Sequence, residues 1–452
     1  MPDSAKVKWA EQNQGDYAIT SIRKMTANQY KQKLEQEKQD KVDFATWITK
    51  NAHEIKTIEA GNGFEDLQLF KQVLQNVQVL GLGESSHGTS EFFRMKHRML
   101  EFLVREMGFT SFYIEASMTR CRYINGYVLH GQGNLDTATA MQGFVPWRVE
   151  EFKNMLEWMR QYNTSVSEDK KLKFYGYDLQ INDNGWKGLK AFYAKVDPQK
   201  LARLDSLSSQ IDSAKKWSNR YTAGDRNRGV NLFRTVYLQC LELMNDMVLN
   251  EGKYRYAGGS ELYDENLMNS KLIIQEVQFY KGDFNLNWRD YYMAENILYL
   301  LNREKPGAKV AVWAHNGHIS KAEGRMGSYL AKALQNKYYA IGFEFYSGSF
   351  QTRNMDINNR SKNWDVMAVG EPPAESLPWY FNKAGKDTFF IDFRNTGTSA
   401  VKSFSKPYEA HAFGSAYSTK WPATYPSQLP NYDGMIYIKV STAAKNFTKV
   451  DL

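Results

Sequence analysis

The stretch "VLGLGESSHGTSEFFRMKHR", residues 79–98, decides the fold. The apolar run from Val77 to Leu82, bounded by Gly81 and Gly83, reads as a buried strand. A helical pattern follows it. Thr89 or Ser90 can cap this helix, Phe92, Met95, Met99, Phe102 and Leu103 share one face, and Gly108 supplies the stop. Strand, turn and helix make one βα unit, and Glu84, Ser85, Ser86 and His87 lie on its turn.

The same rhythm continues outward. "SFYIEA" (111–116) reads as a strand, helices run to about Tyr162, and "LKFYGYD" (172–178) reads as another strand. "AKVAVWAH" (308–315), "YAIGFEFY" (339–346), "TFFIDF" (388–393) and "GMIYIKV" (434–440) complete the set. Between Pro198 and Arg303 no strand pattern occurs; Phe233, Val236, Tyr237, Cys240, Leu241, Met244 and Met247 repeat at helical spacing. The expected fold is α/β, a mainly parallel central sheet flanked by helices. An all-helical insertion forms a cap or side wall of the active-site cleft. The expected organisation is a polar N-terminal extension (1–40), an α/β core in two parts (41–197 and 304–452) and a helical insertion (198–303).

Composition removes several function classes. The 452 residues carry 58 basic and 50 acidic side chains, a net +8, and no Lys/Arg block is dense enough to require nucleic acid. Lys24 to Lys41 is basic but interleaved with Gln and Glu, as on a solvated helix face. Cys121 and Cys240 stand far apart without a CxxC, so neither a disulfide framework nor a structural zinc site is expected. No run approaches the ~18 apolar residues of a membrane span, and "MPDSAKVKWAEQNQGDYA" lacks the apolar region of a signal peptide. A cytoplasmic protein is expected, or a periplasmic one if an export signal has been removed. It should have no membrane partner, and a monomer is favoured.

Chemistry gathers where strands end. Glu84, His87, Glu115 and Asp178 sit at or just past predicted strand ends, and His315 and His318 follow another in "WAHNGHIS". Imidazole is the side chain most easily poised near neutral pH, and a carboxylate beside it fixes its tautomer and raises its basicity. Glu84 or Glu115 can serve His87 in that way. Ser85 and Ser86 are weaker candidates, because the glycine expected two residues before a nucleophilic serine is Glu84. A metal held by His87, Glu115, Asp178, His315 and His318 is the chemical rival. However, H-x-x-H after a strand does not align two rings as H-E-x-x-H does on a helix. No metal or other cofactor is expected.

These motifs resemble, in order, those of the erythromycin esterase family: "GLGESSHGTSEFFRMKHRMLEFLVREMGF", "FYIEAS", "FYGYDLQ", "NWRDYYMAENILYLL", "VAVWAHNGHIS", "GFEFYSGSF" and "YDGMIYI". The resemblance spans about residues 45 to 440. It implies a hydrolase that opens the lactone ester of 14-membered macrolides, with His87 matching the family's general base, Glu84 and Glu115 its glutamates, and His315 and His318 its paired histidines. The family's basic residue nine positions after the histidine falls on Lys96, with Arg94 and Arg98 to either side, and the arginine of the "RD" motif is Arg289. Arg289, Lys96, His315 or His318 would then serve the oxyanion, and Asp178 or Glu344 would face a substrate amine. "MQGFVPWRVEEF" and "GFEFYSGSFQTR" are expected walls of the pocket. The competing expectations are a hydrolase or transferase for another ester or a polysaccharide, and a non-catalytic binding protein that keeps the fold.

Overall fold

Apolar runs closed by glycine or by a polar turn become the strands of one sheet. The structure, a computed structural model, describes residues 26–447 except 220–221, 358–363, 396 and 398–401. The strands are β1 (His53–Glu54), β2 (Val79–Leu82), β3 (Phe109–Ser117), β4 (Lys173–Asp178), β5 (Lys309–Trp313), β6 (Tyr338–Asn354), β7 (Trp364–Val369), β8 (Thr388–Asp392), β9 (Pro407–His411), β10 (Ala416–Tyr417), β11 (Thr424–Gln428) and β12 (Gly434–Ser441). The sheet order is β1-β8-β12-β6-β2-β5-β3-β4, with β7 and β10 added along β6; β9 and β11 form a separate hairpin.

The six strands from β12 to β4 are all parallel, whereas β1, β7 and β8 pair antiparallel at the margin. Such a sheet must be covered on both faces, which explains the nearly continuous apolar runs of its inner strands. The chain passes from β2 to β3 leaving a slot between them, later fills it with β5, and then crosses to the other side of β2 with β6. The carboxyl ends of β2, β5 and β3 therefore flank the crevice where an open α/β sheet binds ligands.

The main helices are α1 (Ala27–Asn51), α2 (Ser90–Met107), α3 (Asp183–Val196), α4 (Leu201–Ser218), α5 (Ala223–Leu249), α6 (Glu251–Gly258), α7 (Ser260–Lys281), α8 (Leu286–Asn302) and α9 (Asn316–Ile319). Thr89 in extended conformation precedes α2, and Gly108, at φ 71°, ends it in the left-handed region that a residue with Cβ avoids. Phe92, Met95, Met99 and Phe102 of α2 pack on Leu80, Leu82, Phe112 and Trp313 of one sheet face. Met293, Ala294 and Ile297 of α8 pack on Val79, Val310 and Val312 of the other.

Leu189, Leu204, Ile211, Phe233, Cys240 and Val277 build a third core among the helices between β4 and β5. That helical run begins with α3 at Asp183, ahead of residue 198, and its last helix, α8, belongs by its buried face to the sheet. At the other end α1 crosses residue 40 and seats Phe44, Trp47 and Ile48 in the second core. Residues 1–25 of the expected extension lie outside the described residues. No helix among the described residues is long and apolar enough to cross a membrane.

Candidate active site

The turn after β2 is held where few other sequences fit. A Cβ on Gly83 would lie 2.1 Å from Asn316 Oδ1, and one on Gly88 would lie 1.9 Å from the Gln351 carbonyl oxygen. Both glycines let other backbone close on the turn. The Gly88 carbonyl accepts from Gln351 N at 3.0 Å and from Ala444 N at 2.9 Å, so β6 and the end of β12 clamp it.

Inside this clamp Glu84 is fully buried and makes three charged or polar contacts. Its Oε1 meets His87 Nδ1 at 2.6 Å, while Oε2 accepts from Lys96 Nζ at 2.5 Å and from Trp313 Nε1 at 2.6 Å. Burial raises the carboxyl, but Lys96 and His87 outweigh it and hold Glu84 below the usual range. Burial lowers the Lys96 ammonium to about 8 despite the pull of Glu84. Lys96 also lies 4.1 Å from the centre of the Trp313 ring. It is completely enclosed and does not line the cavity beside His87. The expectation that Lys96 reaches an oxyanion is therefore corrected: its charge is spent on Glu84.

The neighbouring arginines point elsewhere. Arg94 pairs with Glu59 and Glu91, away from the cavity, so its expected place at the substrate is also corrected. Arg98 is buried against Asp66 and the carbonyls of Thr57 and Gly63.

Arg289, from α8, ties three strand ends together. Its Nη2 donates to Glu115 Oε1 at 2.6 Å and to Asp178 Oδ2 at 2.6 Å, and its Nη1 stands 3.0 Å from His318 Nε2. Burial lowers the guanidinium, but Asp178 and Glu115 overcome this and raise it. Glu115 also accepts from the His315 backbone N–H at 3.0 Å. Burial raises Glu115, yet His318 and Arg289 hold it well below the ordinary range. It makes no hydrogen bond to His87, so Glu84 is the carboxylate that orients that ring. Asp178 is completely buried and accepts from the N–H groups of Leu179 and Gln180. Its expected role toward a substrate amine is corrected to structural pairing with Arg289.

The two later histidines differ in charge. His318 lies between Asp290 Oδ1, 2.8 Å from Nδ1, and Glu115 Oε1, 3.3 Å from Nε2. Burial disfavours its charge, but the two carboxylates overcome this and push it up to about 9. His315 caps α9, where its Nδ1 accepts from the Gly317 N–H at 3.2 Å. Burial, with His87 and His318 nearby, pushes it down to about 3, and its Nε2 has no hydrogen-bond partner. The His87 and His315 rings stand 5.0 Å apart.

His87, Glu115, Arg289, His315 and His318 thus line one cavity of about 680 Å³. Phe144, Val145, Pro146 and Trp147 form its aromatic side, as expected of their segment, whereas only Arg353 of "GFEFYSGSFQTR" reaches it. Leu286 at the start of α8 supplies part of the opposite wall. Ser85 and Ser86 are fully buried and do not line the cavity; Ser86 Oγ accepts from Gly88 N. Glu344 is also absent from this cavity, correcting its expected place. It is buried in a second cavity, bonded to His411. Among the described residues no group of three or more His, Cys, Asp or Glu side chains is disposed to hold a metal ion.

Sequence reasoning missed Asp290, Trp313 and His411. Asp290 stands beside Arg289 in the "RD" pair, and that adjacency was the available signal for a carboxylate partner of His318. Trp313 and His411 act across 229 and 67 residues of sequence, respectively, and carried no local signal.

Fold and site together define an α/β protein with a histidine–carboxylate centre at the carboxyl ends of parallel strands. The model of the family described as erythromycin esterase matches residues 104–441, and the chain belongs to that family. It is therefore a hydrolase of the family. It is 26% identical over 382 residues to erythromycin esterase type II of Escherichia coli, covering 78% of this chain and 89% of that one. A Bacillus cereus protein of known crystal structure shares the fold at a TM-score of 0.74 and 23% identity, over 90% of this chain and 99% of that one. A histidine-to-asparagine mutant of the erythromycin esterase EreC, in its open conformation, does so at a TM-score of 0.62 and 16% identity, over 86% and 96%.

Proposed function

We propose that the protein is a carboxylic ester hydrolase that opens the macrolactone of 14-membered macrolides such as erythromycin and so inactivates them, with His87 as general base. The observation that carries this reading is the Glu84–His87 contact of 2.6 Å at the wall of a cavity that also holds Arg289, His315 and His318. The cavity falls within the range of about 300–1,000 Å³ usual for small-molecule sites.

Because Glu84 takes Nδ1–H, the basic nitrogen of His87 is Nε2. It draws a proton from water as the water oxygen bonds to the lactone carbonyl carbon and the carbonyl electron pair moves onto its oxygen. Collapse of that intermediate breaks the bond to the ring oxygen, which leaves with the proton from His87. The products are a carboxylic acid and an alcohol on one opened chain.

Neutral His315 carries its hydrogen on Nε2, which is buried and unpartnered, and we assign the oxyanion to this donor together with the positive charge of Arg289 and His318 on the same cavity wall. No serine takes part, and no metal is required by these steps.

Incubation of the purified protein with erythromycin, followed by mass spectrometry, should show the gain of one water, and His87→Ala should abolish it. If erythromycin and its 14-membered relatives all keep their mass while other esters or acylated polysaccharides are cleaved, the macrolide reading fails and hydrolysis of another ester takes its place.

A further inference from the structure

We propose that the second cavity, behind His315, is a subsite for an uncharged, hydroxyl-bearing ring such as a neutral glycosyl unit of the substrate. It deepens the ester-hydrolase reading and rests on it in assigning that ring to the substrate. The cavity measures about 480 Å³ and has His315 in common with the His87 cavity, so the two lie side by side.

The floor is a second glutamate–histidine pair. His411 Nδ1 lies 2.9 Å from Glu344 Oε1 and 3.1 Å from the Phe345 carbonyl, so this nitrogen bears the hydrogen. Phe345 stacks on the imidazole at 4.6 Å between centroids, and Phe413 stacks on it at 5.2 Å. With Nδ1 tied and the ring stacked, the part of His411 left for the cavity is its Nε2 edge, an acceptor on a residue only 3% exposed.

Arg325, Ser427, Gln428 and Asn431 supply further donors and acceptors to the lining, and Tyr432 supplies an aromatic ring. Mixed donors and acceptors beside an aromatic ring suit a ring that carries both hydroxyls and C–H faces. The same groups disfavour a cation. Among the described residues Glu344 is the one carboxylate lining the cavity, and it is already satisfied by the backbone N–H of His411 at 3.0 Å, by that of Phe345 at 2.9 Å and by the imidazole. The guanidinium of Arg325 would repel an ammonium.

The test is saturation-transfer NMR on the whole protein with two probes, methyl α-glucopyranoside and protonated glucosamine. The neutral glycoside should bind to wild type and to His87→Ala alike, which separates this subsite from hydrolysis. Ser427→Trp, on the accessible β9–β11 hairpin, should fill the cavity and weaken binding about tenfold or more. It should also lower the ratio of kcat/KM for a glycosylated lactone to that for its aglycone. Binding of neither probe, preference for glucosamine, or unchanged binding in Ser427→Trp would each overturn the proposal. If no lactone is hydrolysed but the glycoside binds as described, the subsite stands and the macrolide reading alone fails.

Discussion

Glu84 with His87 and Glu344 with His411 are one device built twice. Each is a fully buried carboxylate that takes the Nδ1 of an imidazole, at 2.6 Å in the first and 2.9 Å in the second. The difference lies in what else the carboxylate holds. Glu84 has a lysine at 2.5 Å, whereas among the described residues no lysine or arginine pairs with Glu344, which is held by backbone N–H groups instead. A carboxylate with its own cation stays ionised whether or not the imidazole carries a second proton. This is the setting that the proposed general-base role of His87 needs. His411, with 1% of its side chain exposed against 12% for His87, is enclosed and stacked, and offers a fixed edge for binding. On the proposed readings, the same local pair serves as a base in one setting and as an anchor in the other.

Four comparisons would break or sharpen this contrast. The largest effect is expected from His87→Gln, which should lower kcat by about 10³-fold or more, while His411→Gln should cost about tenfold or less, mainly in KM. Equal losses in steady-state kinetics would erase the distinction. Lys96→Met should come next. It leaves Glu84 buried without its cation, and urea denaturation should show a loss of about 3–5 kcal/mol, with part of it recovered in Lys96→Met/Glu84→Gln.

His315→Phe removes the unpartnered Nε2–H and should lower kcat by about 10²-fold while leaving KM near its original value. A KM effect alone would make His315 a wall of the pocket. The smallest effect concerns pH. His318 is pushed above the ordinary histidine value to about 9 by its carboxylates. Its charged form therefore stabilises the fold fully below about pH 6.5, and this contribution is lost as pH rises through about 9. The stability difference between wild type and His318→Gln should shrink over that interval. A constant difference would mean that the ring is neutral and bound by Arg289.

The frame was legible because the inner strands obey local rules. "VLGL", "KVAVW" and "YAIGF" are apolar runs of strand length, and a buried parallel sheet demands such runs. Gly108 marked the end of α2 for the same local reason, whereas Thr89, one of the two cap candidates, holds the N-cap position without a capping bond from its side chain. The histidines and carboxylates at strand ends could be named because position along a strand fixes which end of the sheet a residue occupies. What each side chain touches could not be read. Lys96, Arg94 and Arg98 lie within five residues of one another, yet they face Glu84, Glu59 and Asp66. A helix turns successive side chains in different directions, and only the packed neighbours reveal which one meets the site. The pairing of Glu344 with His411 was hidden for a related reason, since β6 and β9 meet through tertiary packing.

The order of the strands carries a consequence for how the chain is made. β5 separates β2 from β3, with Val310 beside Val79 and Ala311 beside Phe112, yet it follows β3 only after β4 and the whole helical insertion. While the chain emerges from the ribosome, β2 and β3 are complete and the slot between them is vacant. Contacts of this sequence separation form slowly, and unfilled strand edges invite wrong partners. The helices of the insertion, joined by local contacts, can form in the meantime. The arrival of β5 then closes the slot and brings Trp313 to Glu84 and His315 and His318 to the turn that carries His87, before β6, β8 and β12 extend the sheet on the far side of β2.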